Sequence, residues 1–112
     1  MNTLKPLIVN SKNYIHFIQQ ADILYVKADG TYTYIILAGE GKDVNASKPL
    51  NLILKELNSA FFLKISQSYY VNRNYIAGVN KKLKMVLLTN GDTLKYTIKV
   101  NEFMENFASE SI

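Results

Sequence analysis

The segment FFLKISQSYYVNRNYI, which runs from Phe61 to Ile76, has the clearest structural pattern in the chain. Near its start, Leu63 and Ile65 alternate with polar residues, which is the period-2 pattern of a half-buried β-strand. The polar residues Ser66 to Ser68 then interrupt the apolar pattern, and a second apolar run begins at Tyr69. The segment therefore predicts two strands that hold a short polar loop between them. Hydroxyl and amide groups on such a scaffold suit contacts with phosphates and base edges.

The same segment resembles the signature of the LytTR domain, the DNA-binding module of LytR/AgrA-type bacterial regulators. The family carries an aromatic, hydrophobic and basic core, a polar loop, and an S-Y-x-V-N motif followed by isoleucine. Three further segments resemble the family in the same order: DILYVKADGTYTYIIL from Asp22, KPLNLILKEL from Lys48 and LTNGDTLKYTIKVNEF from Leu88. The resemblance implies a mainly β, elongated fold of small antiparallel sheets with two short helices, one mid-chain and one C-terminal.

The length and composition favour one globular domain over residues 1–112. The chain has no cysteine, which excludes disulfides, thiolate metal sites and cysteine nucleophiles. No window approaches the roughly 18 apolar residues of a membrane span. The start, MNTLKPLIVN, lacks the features of a signal peptide. We therefore expect a cytoplasmic protein without a membrane partner.

Charge is unevenly distributed along the chain. Residues 1–99 contain all 13 basic residues and six acidic ones, whereas the last 13 residues contain three acidic residues and no basic one. A basic body with an acidic tail is typical of a polyanionic partner. The alternative is a lysine-rich surface that keeps a β protein soluble and its strand edges unpaired.

Turn signals divide the chain into short strands. Two apolar runs, Pro6–Asn10 and Tyr14–Ile18, predict a hairpin, and one helical turn is expected over Gln19–Asp22. Asp29-Gly30 predicts a two-residue hairpin turn in which both residues have positive φ. Asn90-Gly91 is the strongest hairpin signal. Further turns are expected at Gly39-Glu40-Gly41 and at Asn80-Lys81-Lys82.

Two helices are predicted from their apolar spacing. The first would have Ser47 as its cap, Pro49 in its first turn and a stripe formed by Leu50, Ile53, Leu54 and Leu57. The second would have Thr97 as its cap and a stripe formed by Val100, Phe103, Met104 and Phe107.

The resemblance implies that loops, and not a recognition helix, enter the DNA grooves. Matched segment by segment, Thr33, Gln67 and Lys99 fall on the base-contacting positions of the family. The amide of Gln67 could pair with adenine and Lys99 could donate to guanine, whereas Thr33 offers a hydroxyl and a methyl group. Without the resemblance, Gln67 and Thr33 would be interpreted as ordinary solvated residues.

A second set of residues is expected to contact DNA phosphates. Ser68 and Thr97 would donate hydrogen bonds, and three basic side chains would supply charge: Lys48, Lys64 and Arg73. The densest basic cluster, Lys81, Lys82 and Lys84, is interpreted as a solvated hairpin tip. Members of the family often carry His at Ser66 and Arg at Lys99, so the target sequence is expected to differ from theirs.

Other classes of function have less support. His16 is the only histidine and lies in an apolar strand, and no glycine-rich phosphate loop precedes a helix. We therefore expect no enzyme, no cofactor, no metal and no small-molecule substrate. Stacking of single-stranded bases on the tyrosines and a β-mediated interaction or dimerisation module remain alternatives. The expected partner is double-stranded DNA with paired direct repeats, bound by a homodimer.

Overall fold

The computed structural model describes residues 5–39 and 43–109, and in these ranges short β-strands predominate. The strands are β1 Leu7–Asn10, β2 Ile15–Ile18, β3 Ile23–Asp29, β4 Tyr32–Leu37, β5 Val44–Ala46, β6 Phe62–Lys64, β7 Tyr69–Asn72, β8 Ile76–Asn80, β9 Met85–Leu88 and β10 Thr93–Lys95. The α-helices are α1 Leu50–Leu54 and α2 Val100–Ser109, and single 3₁₀ turns lie at Gln20–Asp22 and Arg73–Tyr75.

The strands form three antiparallel sheets. The largest has the order β5-β4-β3-β7-β6, the second has the order β10-β9-β8, and β1 pairs with β2 as a separate hairpin. The expectation of a mainly β fold of small antiparallel sheets with two helices is therefore confirmed.

Two apolar cores lie against the five-stranded sheet, because neighbouring residues of a strand point to opposite faces. In β4, Ile35 belongs to a core shared with the β1–β2 hairpin and α1, whereas Ile36 packs against a core shared with β8, β9 and β10. The same division separates Phe62 from Leu63 in β6. The three-stranded sheet is thus fixed to one face of the larger sheet, which brings its loops close to those of β6 and β7.

The hairpin turns form where glycine predicts them, but their loops differ from the prediction. Asp29 pairs with Tyr32, so the loop is Gly30-Thr31, and Gly30 alone has positive φ, at 63°. This arrangement is typical of a type II′ turn, in which only the first central residue needs positive φ. After β9, the N–H of Gly91 donates to the Leu88 carbonyl at 3.0 Å and Gly91 has φ 98°.

That second loop is therefore one residue longer than predicted and has a bulge at its glycine. At the turn predicted over residues 39–41, Gly39 has φ 89°. Glu40 and Gly41 lie outside the described residues.

The predicted helix caps are wrong at both helices. Helix α1 begins after Pro49, whose carbonyl accepts from Leu52 N–H at 3.0 Å, and Ser47 lies two residues outside this cap. Proline holds the residue before it in an extended conformation, so the helix cannot begin at Ser47. Helix α2 begins at Val100, so Thr97 lies too far before it to be its cap. The N–H of Thr97 donates to the Ile65 carbonyl at 2.8 Å, which fixes Thr97 in the preceding connection.

The four residues of the predicted stripe pack in the core, since Leu50, Ile53 and Leu57 are buried and Leu54 packs beside them, but α1 ends at Leu54 and Leu57 follows it. The stripe of α2 is not confirmed, because Met104 is exposed. The side chains of Phe103 and Phe107 lie outside the described part of the structure. In the ranges described, no helix combines the length and the apolar character needed to cross a membrane.

Candidate nucleic-acid interface

Most of the segments predicted to contact DNA lie at one end of the five-stranded sheet. In an antiparallel sheet, the start of one strand lies beside the end of its neighbour. The ends of β3, β5 and β6 therefore lie beside the starts of β4 and β7, as their registers show. We name this end of the sheet the loop end. It includes Lys48, Lys64, the Gly30-Thr31 turn and the loop formed by residues 66–68.

The loop formed by Ser66, Gln67 and Ser68, here the 66–68 loop, is internally fixed. Its base is closed by a hydrogen bond from the Ile65 N–H to the Tyr69 carbonyl at 3.1 Å. The hydroxyl oxygen of buried Ser66 accepts from the N–H groups of Ser68 and Tyr69 at 3.3 and 3.2 Å. Gln67 and Ser68 remain exposed. The loop thus presents the Gln67 amide and the Ser68 hydroxyl to solvent from a held backbone.

The connection before α2, residues 97–99, lies against the 66–68 loop. The Ile65 carbonyl accepts from the N–H groups of Thr97 at 2.8 Å and Ile98 at 3.4 Å. Lys99 directly precedes α2 and is exposed, as is Thr97. A hollow of about 450 Å³ lies between the two segments and is lined by Ser66, Gln67, Ser68, Tyr69, Lys95 and Thr97. Gln67 therefore lines this hollow, and Lys99 lies two residues beyond Thr97, which also lines it.

Thr33, the third predicted base contact, is fully buried at 0% exposure. Its hydroxyl donates to the Lys48 carbonyl at 2.8 Å, which joins β4 to the segment that leads into α1. A side chain without exposed surface cannot reach a base edge, so the structure corrects the expected role of Thr33. Its period-2 relation to buried Ile35 is the sequence signal that indicates this burial.

The predicted phosphate contacts are divided between the two ends of the sheet. Lys64 is exposed at the loop end, and Lys48 lies there with its ammonium 3.6 Å from the Glu56 carboxylate. Arg73 follows the other end of β7, and its N–H donates to the Phe61 carbonyl at 2.7 Å. A strand of four residues separates Arg73 from the 66–68 loop by roughly 13 Å of backbone. The structure thus separates Arg73 from the remaining set.

Two further lysines lie at the loop end, and the sequence pattern does not indicate them. Lys95 lines the hollow, and the Lys27 ammonium lies 6.0 Å from the centre of the Tyr69 ring. Both are exposed. No local motif marks them, because their proximity to the 66–68 loop arises from strand pairing and from the hydrogen bonds of Ile65.

The pKa of one tyrosine beside this surface differs from its usual value. Tyr25 packs edge-on against Tyr69 with ring centres 5.8 Å apart. Partial burial raises the pKa of Tyr25, and the negative charges of Asp92 and Asp43, with the neighbouring Tyr69, raise that pKa further. The Tyr25 phenol therefore stays neutral at physiological pH. Across the described residues, no three His, Cys, Asp or Glu side chains gather into a group that could hold a metal ion.

Comparison with known proteins gives consistent results. The model of the LytTr DNA-binding domain family matches residues 13–106. The transcriptional regulatory protein LytR of Staphylococcus aureus strain MW2 is 30% identical over 105 residues, which cover 91% of this chain and 40% of that protein. LytR of strain N315 is 29% identical over the same lengths. The chain thus spans about two fifths of these curated relatives.

A solved structure has the same fold. It is described as a LytTr DNA-binding domain from Bacillus cereus and superposes with a TM-score of 0.71 over 95% of both chains at 15% identity. The family match covers most of the chain, and the loops that resemble the family share one surface. This chain therefore belongs to the LytTR family of DNA-binding domains.

Proposed function

We propose that the loop end binds double-stranded DNA with sequence preference, as the output domain of a bacterial transcription regulator of the response-regulator type. The hydrogen bonds accepted by the Ile65 carbonyl support this proposal most directly, because they hold residues 97–99 beside the 66–68 loop. Because of these bonds, exposed Gln67 and Lys99 lie at the same end of the sheet as four further exposed lysines. Those lysines are Lys27, Lys48, Lys64 and Lys95.

The chemistry of each side chain defines its proposed role. Gln67 pairs with an adenine through its amide oxygen and nitrogen, and Lys99 donates to O6 and N7 of a guanine. Ser68 and Thr97 donate hydrogen bonds to phosphate oxygens, and the four lysines neutralise phosphates. Thr33 and Arg73 are left out of this set for the structural reasons given above. Lysine lacks the rigid planar fork with which arginine matches these two acceptors, so Lys99 gives weaker guanine preference than arginine would.

Selection of bound fragments from a random duplex library tests this function. We expect an enriched motif that binds at least ~10³-fold more tightly than a scrambled duplex at physiological salt. The four lysines at the loop end alone predict a slope of about −4 for the logarithm of the binding constant against the logarithm of salt concentration, and further phosphate contacts make the slope steeper. A chain that enriches no motif, or whose binding does not change with salt, would contradict the proposal. Comparison of one motif with two tandem copies tests the expected direct repeats.

Protein association is the second candidate function, and one observation favours it. The outer face of the β1–β2 hairpin carries three apolar side chains that remain exposed: Ile8, Ile15 and Phe17 at 41, 58 and 65%. Exposed apolar patches often mark interaction sites. We propose that a second copy of the chain covers this face. Sedimentation velocity should then show a dimer that persists in high salt and that Phe17→Ser converts to monomer.

A further inference from the structure

The connection between β8 and β9, residues Lys81 to Lys84, is a rigid basic loop, here the 81–84 loop. Asn80 pairs with Met85, so four residues form the connection. The side-chain oxygen of Asn80 accepts from the Leu83 N–H at 2.9 Å, and Lys84 has a left-handed backbone with φ 55°. All four side chains are exposed, with Leu83 at 63%. The loop therefore presents three ammonium groups from a fixed turn.

Backbone hydrogen bonds place the 81–84 loop beside the loop end. The N–H of Tyr96 donates to the Lys84 carbonyl at 3.1 Å, and the N–H of the next residue, Thr97, donates to the Ile65 carbonyl at 2.8 Å. One residue of extended chain advances by at most about 3.5 Å, so the carbonyl oxygens of Lys84 and Ile65 lie within roughly 10 Å. The cluster interpreted from the sequence as a solvated tip thus adjoins the proposed DNA surface.

The positive charges of the 81–84 loop are not neutralised by the part of the protein that the structure describes. Among the residues that the structure describes, no carboxylate forms an ion pair with Lys81, Lys82 or Lys84. Like charges held close together repel one another, and that repulsion is relieved by an anionic partner. Lysines can also prevent an edge strand from pairing with another chain. The 81–84 loop, however, connects β8 with its partner β9 and lies at the end of both strands.

We propose that the 81–84 loop binds the phosphate backbone of the same DNA duplex, beside the bases contacted by Gln67. This inference rests on the proposed function and extends the DNA footprint. Phosphates of one strand are about 3.4 Å apart along the helix axis, so a displacement of up to about 10 Å corresponds to at most roughly three base pairs. The loop therefore contributes affinity and salt dependence to every sequence, and it adds no preference of its own.

Removal of two charges from the loop tests the proposal against a matched control. The test variant is Lys81→Ala with Lys82→Ala. Lys84 is left unchanged, so that the residue whose left-handed backbone closes the turn, at φ 55°, stays native. The control variant is Lys5→Ala with Lys55→Ala, which removes the same charge from the opposite end of the sheet. There, the Gln20 amide nitrogen donates to the carbonyls of Lys5 and Glu56.

Binding of both variants to the selected duplex is measured across a salt series. We expect the test variant to bind about tenfold more weakly at 0.1 M salt, with a salt slope about 2 units shallower than that of the unmodified chain. The control variant should bind within about twofold of the unmodified chain. Lys81→Arg with Lys82→Arg should restore the slope, because arginine also neutralises phosphates. Hydroxyl-radical footprinting should show loss of protection at one flank, with the central contacts kept.

Two results would overturn the inference. Test and control variants with equal affinities and equal slopes would show that the 81–84 loop touches no phosphate. A test variant that changes base preference, with its slope unchanged, would show a role other than backbone contact. An unmodified chain that binds no duplex would instead remove the proposed function itself, so the two failures are distinguishable.

Discussion

At the scale of single residues, Thr33 and Gln67 have opposite surroundings. Gln67 is exposed on a held loop, whereas the Thr33 hydroxyl is committed to the Lys48 carbonyl inside the protein. Substitutions at these two positions should therefore separate stability from recognition.

Thr33→Val keeps the shape of the side chain and removes the donor to Lys48. We expect the free energy of unfolding to fall by about 1 kcal/mol, because the partly buried carbonyl of Lys48 loses a hydrogen bond. We expect base preference to remain unchanged. Gln67→Ala should do the reverse: stability should stay within ~0.5 kcal/mol and discrimination at one base pair should fall by ~1–3 kcal/mol. Urea denaturation and competition binding measure the two effects. A Thr33→Val chain of normal stability with altered base preference would restore Thr33 as a contact.

Tyr25 gives a prediction about pH. Its pKa is raised in the folded state, mainly by burial, so the unfolded chain loses this proton at lower pH than the folded chain. Stability is therefore complete below the unfolded pKa of about 10 and is lost as pH rises toward the folded pKa. We expect Tyr25→Phe to lose less stability than the unmodified chain between pH 7 and pH 10.5. Urea midpoints at the two pH values provide the measurement, and equal losses in both chains would contradict the assigned shift.

At the scale of elements, two glycines in equally open space should respond in opposite ways to alanine. A Cβ atom would meet nothing within 4 Å at Gly30 or at Gly78, but only Gly30 has positive φ. Gly30→Ala should lower the free energy of unfolding by about 1–2 kcal/mol through backbone strain. Gly78→Ala, in β8, should leave it unchanged or raise it by up to ~1 kcal/mol. Thermal unfolding of both variants is the measurement, and loss of stability in both would indicate that strain is not the cause.

The turns also show how far local sequence predicts an element. Glycine indicates that the β3–β4 and β9–β10 hairpins exist, because few residues adopt positive φ. The loop positions depend on cross-strand register, in which Asp29 pairs with Tyr32. The cap of α2 could not be predicted for a similar reason, since Thr97 is held by Ile65, 32 residues earlier.

At the scale of the whole molecule, strand order determines which side chains can act together. The 66–68 loop, the start of α2 and four lysines gather at the loop end, whereas Arg73 lies at the other end of β7. Local patterns and the family resemblance supplied Gln67, Ser68 and Lys99 as candidates. They could not supply Lys27 or Lys95, whose positions follow from pairing between distant strands.

The most direct test of the DNA-binding surface is titration of ¹⁵N-labelled protein with the selected duplex, followed by amide chemical shifts. We predict the largest changes at Gln67, Ser68 and Lys99. Changes near zero are expected at Gln20, Lys55 and Arg73, at the far end of the sheet. If the largest changes occur at that far end and the 66–68 loop is unaffected, the loop end is not the DNA-binding surface.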